Sequence, residues 1–346
     1  MLNIIYLSKN ISSSIQRDYV SASYQQNVID ELSLKSNLFH YGPGYKYFDI
    51  DDQLENIIQK SSFSPDLLIF GHNWLKDAPN EIFNSLMPNL NVKDTRLTKI
   101  GILNKEYSNL RNKLSYYKKN KFNLIFSHHH ENDIYEAEMG INCVFWPFAC
   151  NYKKFEKKDN TKETDIFFSG VLKNTTEYAN QSDFRINCLN KIFINFFDEP
   201  IKRKKKFEKY NVIWNSVPRN TIGRILKSAL GRRLFDYEDY PNFIKNSKIV
   251  INSLSPKGLV SPRYFETMLS KSAVFCESSI LYKNIFDKNY FFEIDSDAEN
   301  FEEKVFYYLD NFSKYESVLN EASDYVKNNH TWEIRISQML KAINNI

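Results

Sequence analysis

Glycine is scarce in this chain, with 9 in 346 residues, and no spacing among them gives G-x-G-x-x-G or G-x-x-x-x-G-K-[ST]. Those absences exclude the usual dinucleotide fingerprint and the P-loop, where glycines let the backbone approach phosphate closely. No G-x-S-x-G elbow is present and no cysteine stands in a reactive setting, so a covalent hydrolase lacks its nucleophile. The four cysteines, Cys143, Cys150, Cys188 and Cys276, form no C-x-x-C pair and read as buried thiols in a reducing compartment. No apolar run approaches the roughly 20 residues of a membrane-spanning helix. The opening Met-Leu-Asn-Ile-Ile-Tyr-Leu-Ser is too short and uncharged for a signal peptide and reads as a first strand. Three of the six histidines are consecutive, and in extended backbone their side chains alternate in direction, so all three cannot converge on one ion. No metal and no cofactor are expected, and the expected location is cytoplasmic, at most peripheral to a membrane.

What the sequence does have is length, aromatic residues and alternation. At 346 residues it exceeds the roughly 250–300 that one hydrophobic core usually supports, so two domains are expected. Its net charge of +4 is too mild to indicate nucleic acid. Positive charge nevertheless clusters in one third of the chain, from Lys202-Arg203-Lys204-Lys205-Lys206 through Arg219, Arg224, Lys227, Arg232 and Arg233. This 202–233 stretch reads either as a solvated loop and helix face or as a contact for an anionic partner, a membrane surface or a phosphorylated acceptor.

Strand patterns at 2–7, 38–41, 67–70, 100–103, 122–126 and 143–146 alternate with helical ones in the first half. One helical pattern, Ile134 to Met139, stops at Gly140, a suitable left-handed cap. Polar residues from Pro147 to Thr164 suit a linker. The alternation then restarts, with strands at 165–168, 212–214, 249–252, 273–276 and 290–294. Helices are expected over 184–196, 218–230, 240–246 and around Glu266, and three more close the chain from about 299 to 345. Strands apolar on both faces and separated by helices mean parallel sheets covered on each side. The fold class is therefore α/β, with two Rossmann-like doubly wound domains whose strand ends face each other across a cleft.

Ligands in such sheets bind beyond the carboxyl ends of the strands. In the first half these ends carry Tyr41-Gly42-Pro43-Gly44-Tyr45, Gly71-His72, Asn104-Lys105-Glu106 and Ser127 to His130. In the second half they carry Ser169-Gly170 with Lys173 close by, Asn215, Ser253 to Ser255, and Glu277. The turn at Ser169-Gly170 is either a backbone cradle for a diphosphate or a plain tight turn. Between two apolar strands lies a short helix with a single carboxylate, Arg263-Tyr-Phe-Glu266. Such a carboxylate can accept hydrogen bonds from a vicinal diol, as in the ribose of a nucleotide-sugar.

Four blocks carry a family resemblance: Asp165-Ile-Phe-Phe-Ser-Gly170 with Arg185 after it; Ser247-Lys-Ile-Val-Ile-Asn252; Arg263-Tyr-Phe-Glu266-Thr-Met; and His330-Thr-Trp332-Glu-Ile-Arg335. Together they resemble the nucleotide-binding half of GT-B and group 1 glycosyltransferases, especially the spore-maturation-type (CgeB-like) enzymes. The resemblance implies a domain at 1–148 that binds the acceptor and one at 149–329 that binds a nucleotide-sugar. It also implies a last helix, about 330–346, that returns to the first domain through its stripe of Trp332, Ile336, Met339 and Leu340. Glu266 would hold the ribose hydroxyls, Arg263 would face the diphosphate or support its loop, and Ser169 and Gly170 would line the phosphate site with Lys173 and Asn215 nearby. Tyr41, Gly42, Gly44 and Tyr45 would contact the acceptor.

An inverting enzyme needs a base to take the acceptor proton, and Glu106, His72 and His128 are the candidates. Many retaining relatives carry a second glutamate eight positions before the first, where this chain has Gly258, and many have glycine where this chain has Lys271. The stereochemical outcome is left open. The implied activity is metal-independent transfer, in surface polysaccharide synthesis, from a nucleoside-diphosphate sugar (UDP being the commonest) to a glycan or lipid-linked acceptor. Peripheral contact with an anionic membrane is compatible with it; nucleic acid is not an expected partner. The alternatives are a non-catalytic binding module of the same fold and an anionic-surface or nucleic-acid binder working through residues 202–233.

Overall fold

The computed structural model describes residues 1–10, 23–75, 90–172, 184–218, 221–232 and 239–346, and they fall into two compact units. Unit 1 is Met1–Phe148 with Trp332–Ile346, and unit 2 is Ala149–Thr331. Lys173, Arg219 and Arg233, named above as candidates, lie outside the described residues.

Unit 1 is built on β1 (Leu2–Leu7), α1 (Ser23–Ser33), β2 (Ser36–Tyr41), α2 (Leu54–Lys60), β3 (Leu67–Phe70), β4 (Thr98–Ile102), α3 (Leu110–Lys119), β5 (Leu124–Ser127), α4 (Asn132–Met139) and β6 (Cys143–Phe145). All six strands are parallel, in the order β2-β1-β3-β4-β5-β6. The central strands are buried on both faces, which is why they read as unbroken apolar runs rather than alternations. Gly140 does adopt the left-handed cap, at φ +68°, and its N–H reaches the Glu136 carbonyl at 2.7 Å.

Unit 2 contains α5 (Tyr152–Phe155), β7 (Thr164–Val171), α6 (Phe184–Ile192), β8 (Phe193–Phe196), β9 (Glu199–Arg203), β10 (Val212–Val217), α7 (Thr221–Ala229), α8 (Tyr240–Lys245), β11 (Ser247–Ile251), α9 (Pro262–Leu269), β12 (Ala273–Glu277), β13 (Phe291–Ile294), α10 (Phe301–Asp310) and α11 (Glu316–Asn329). Its main sheet is also parallel, in the order β10-β7-β11-β12-β13.

One expectation is corrected here. The helix expected over 184–196 ends at Ile192, and the next residues form an antiparallel hairpin of β8 with β9. Phe197 and Asp198, at φ +51° and +65°, make the two-residue turn that such hairpins favour.

The last helix, α12 (Trp332–Ile343), belongs to unit 1, where it packs against α1. Its buried stripe is Trp332, Arg335, Ile336, Met339 and Ile343, with Leu340 only half-buried. The Trp146 indole N–H donates to the Arg335 carbonyl (3.0 Å), and Arg335 Nε donates to the Pro147 carbonyl (2.8 Å). In unit 2 the Cys150 N–H donates to the His330 carbonyl at 3.1 Å. The His-Thr-Trp block thus secures both places where the chain passes between units.

Candidate functional site

In an open parallel sheet the ligand crevice forms where the strand order reverses. In unit 2 that point lies between β7 and β11, and four of the expected residues stand beside it. Helix α9 opens with Pro262, whose missing N–H would have been unsatisfied there anyway. Every side chain from Tyr264 to Leu269 is buried. The Lys162 ammonium fixes the helix ends by donating to the Lys245 and Ser270 carbonyls at 2.8 and 2.7 Å and to Ser272 Oγ at 2.9 Å. Burial pulls its pKa down to about 6. Lys271 takes the left-handed conformation, φ +53°, the backbone geometry that favours glycine.

Arg263 and Glu266, three positions apart, share one face of this anchored helix. Tyr240, from α8, joins them: Arg263 Nε donates to the Tyr240 hydroxyl at 2.9 Å, and that hydroxyl donates to Glu266 Oε2 at 3.3 Å. Glu266 Oε1 has no hydrogen-bond partner among the described residues. Burial pushes the Glu266 carboxyl up to about 7, against the opposing pull of the Arg263 charge. The guanidinium lies over the end of β7, since a Cβ placed on Gly170 would sit 3.3 Å from Arg263 Nη1.

Across the reversal, Arg185 Nη1 donates to the Val171 carbonyl at 2.5 Å and its Nε to Ser253 Oγ, so this residue ties the ends of β7 and β11 together. Ser169 pairs in register with Asn215, whose Oδ1 accepts from Lys227 Nζ at 3.2 Å; both are buried. Glu277 Oε1 accepts the Leu254 N–H at 2.9 Å, holding the loop after β11, while its other oxygen has no partner among the described residues. Burial lifts this carboxyl also to about 7. Gly258 stands at φ +76°, a left-handed conformation that a glutamate would adopt only under strain.

Unit 1 reverses between β1 and β3. Lys9 and Asn73 join those two ends, with the Lys9 N–H donating to Asn73 Oδ1 (2.9 Å) and Asn73 Nδ2 to the Lys9 carbonyl (3.0 Å). Gly42, at φ +144°, lets the next loop press onto β1, for a Cβ would come within 2.2 Å of the Ser8 carbonyl oxygen. Gly44 is exposed, and the half-buried Tyr45 stacks on His40 with ring centres 5.4 Å apart. Tyr41 instead turns inward, fully buried, its hydroxyl bonded to Asp52 and to the Asp49 carbonyl.

His72 and His128 meet through their Nε2 atoms at 2.8 Å, both buried. His128 Nδ1 lies 2.7 Å from the Trp146 carbonyl, which can only accept, so the proton of His128 sits on Nδ1 and its Nε2 is an acceptor. His72 must then donate from Nε2. That leaves His72 Nδ1 with a bare lone pair and no partner among the described residues. Burial holds both imidazoles neutral, pushing His128 down to about 3 and His72 well below the usual value.

Glu106, also buried, accepts from Ser127 Oγ and the His128 N–H, each at 2.7 Å. Both its oxygens are thus engaged in holding the 127–129 turn. Burial pushes its pKa up to about 7. Of the three consecutive histidines, His128 and His129 are buried and His130 is half-buried. His129 and His130 stack side by side and, with Glu131, place possible ligand atoms within 4.8 Å of one another.

Residues 195–341 match the glycosyl transferase-like family. No curated protein matches the chain. The whole chain is similar to a sucrose-phosphate synthase from Thermosynechococcus elongatus, with a TM-score of 0.62 at 9% identity, covering 100% of this chain and 99% of that one. Anabaena HepE in complex with UDP-glucose is similar at 0.60 and 8%, covering 100% of both chains. A Rickettsia africae glycosyltransferase is similar at 0.61 and 11%, covering 99% and 97%. At these identities the likeness establishes the fold: two parallel-sheet Rossmann-like units, as in GT-B glycosyltransferases. The family match over residues 195–341 points to one enzyme class, glycosyltransferase.

Two contributors were not given a role from sequence. Tyr240 links Arg263 to Glu266, and Arg185 clamps the strand ends. Arg185 follows the first block that carries the family resemblance, and Tyr240 opens the helix expected over 240–246; no chemical signal singled out either.

Proposed function

We propose that the protein is a metal-independent glycosyltransferase acting in surface polysaccharide synthesis. It would move a sugar from a nucleoside-diphosphate sugar to a glycan or lipid-linked acceptor. The arrangement that carries this reading is the Arg263–Tyr240–Glu266 relay beside Gly170 at the strand-order reversal of unit 2. Its two ends match the two ends of a nucleoside diphosphate. Ribose hydroxyls donate to Glu266, while the diphosphate oxygens accept from Arg263 and from backbone N–H groups at Ser169-Gly170. Asn215 and, by sequence, Lys173 complete the donor side. Arg263 supplies the positive charge that the departing diphosphate needs. The HepE complex with UDP-glucose makes UDP the first nucleotide to test. The four sequence blocks support a place near the spore-maturation-type enzymes.

Unit 1 then takes the acceptor at Gly42, Gly44 and Tyr45, with Tyr41 bracing their loop. In the transfer, the acceptor oxygen bonds to the anomeric carbon as the bond to the diphosphate oxygen breaks. The electron pair leaves with the diphosphate, and the hydroxyl proton passes to a base. Among His72, His128 and Glu106 we rank His72 first, because His128 and Glu106 have all their acceptor atoms engaged.

Thermal denaturation with UDP, GDP, CMP and dTDP compounds tests the donor site, since a ligand bound only by the folded state must stabilise it. One nucleotide is expected to raise the transition temperature equally with and without chelator. No shift with any of them would overturn the donor site, and a shift abolished by chelator would overturn metal independence.

A further inference from the structure

Helix α7 is amphipathic the wrong way round. Ile222, Ile225, Leu226 and Ala229 follow the i, i+3, i+4, i+7 spacing that normally buries one face of a helix. Yet Ile222 is 55% and Ile225 64% exposed, and Leu230 beyond them 46%. The face turned toward the rest of unit 2 carries instead the buried Gly223 and the half-buried Lys227, whose ammonium reaches Asn215 and the Ser216 carbonyl.

The β8–β9 hairpin shows the same inversion, with Ile194 57%, Phe196 59% and Ile201 49% exposed. Helix and hairpin are one surface. A Cβ on Gly223 would stand 2.1 Å from the Phe197 carbonyl oxygen, so helix and turn are in direct contact. Arg232 ties them again through Glu199 at 2.8 Å.

Charge identifies what covers this surface. Lys202, opposite Ile194 in the hairpin, is exposed, as are Lys205 and Arg224. Across Phe193–Lys209 and Thr221–Arg232 the acidic residues are Asp198 and Glu199, both buried, and Glu208, which is exposed, against the exposed Lys202, Lys205, Lys206, Lys209 and Arg224. The result is a bulky apolar centre with a cationic rim, the pattern that seats a protein in the headgroup region of an anionic bilayer. A two-fold contact between copies would set these lysines against each other. Nucleic acid would leave the isoleucines without a partner.

We propose that α7 and the β8–β9 hairpin form the face by which unit 2 docks on an anionic membrane. Through Lys227 and Asn215 this face adjoins the Ser169-Gly170 turn of the donor site. It extends the lipid-linked reading of the acceptor but is tested without it, because vesicle binding needs no nucleotide.

The test is co-sedimentation of the full chain with phosphatidylcholine vesicles, with and without phosphatidylglycerol. The expected result is binding to the phosphatidylglycerol vesicles that weakens with salt. It should fall at least about tenfold in the Phe196→Ser/Ile222→Ser/Ile225→Ser variant and in Lys202→Glu/Lys205→Glu. An unchanged thermal transition in each variant shows that the fold is intact. The proposal is overturned if the wild type ignores the vesicles or if the apolar variant binds as well as the wild type. It is also overturned if the wild type is a dimer that the apolar variant splits, or if it binds DNA in place of vesicles.

Discussion

At the carboxyl edge of the first sheet Glu106 is buried with both oxygens occupied by neighbours; at the same edge of the second sheet Glu266 is equally buried but keeps one oxygen open. Both carboxyls are raised to about 7, chiefly by burial. The shared shift therefore says nothing about role, and the count of partners does. Glu106 works for the fold. Glu266 holds an acceptor in reserve: the Tyr240 hydroxyl engages Oε2 alone, and Arg263 Nε is spent on that hydroxyl rather than on the carboxylate.

Removing each carboxylate separates the two roles. Glu106→Ala strands the buried His128 N–H and is expected to cost about 3 kcal/mol of stability in urea denaturation. Glu106→Gln, which can still engage both partners, should stay within about 1 kcal/mol. Glu266→Ala should weaken donor-nucleotide binding by roughly 1.5–3 kcal/mol, about ten- to a hundredfold in titration calorimetry; unchanged affinity would remove Glu266 from the site.

Acidity gives a smaller effect of opposite sense at the two sites. A folded pKa raised from 4.5 to about 7 means that Glu106 stabilises most below pH 4.5 and loses that contribution as pH rises through 7. Nucleotide binding needs Glu266 as the carboxylate, so affinity should climb by up to about tenfold from pH 6 to 8 and stay flat in Glu266→Gln. The smallest change is Arg263→Lys, which keeps the charge but loses the Nε–H donated to Tyr240; about 1 kcal/mol of donor binding is expected to go.

Much of this was legible in the sequence because it is periodic. Apolar runs separated by amphipathic ones gave both parallel sheets, and Gly140 gave a helix end. The hairpin at Phe193–Arg203 was not legible. Phe193-Ile194-Asn195-Phe196 continues a helical run without a break, and the turn residues Phe197 and Asp198 are not the usual Asn-Gly pair. Within the candidate site, Arg263 and Glu266 could be found because they sit three apart on one helix. Tyr240 is 26 positions before Glu266, and only the packing of α8 against α9 brings its hydroxyl between them. Tyr41 and Glu106 showed the reverse limit: a strand-end position suggests a role in binding, but only the structure reveals that their polar atoms are already taken.

The return of α12 to unit 1 has a consequence for the ribosome. Unit 2 is one uninterrupted segment, Ala149–Thr331, and can close as soon as it emerges. Unit 1 begins first and finishes last, because the carbonyl that the Trp146 indole needs belongs to Arg335, 189 positions later. For most of synthesis, then, the nascent chain exposes the surface that α12 will cover. The half translated second is free to be the half that folds first.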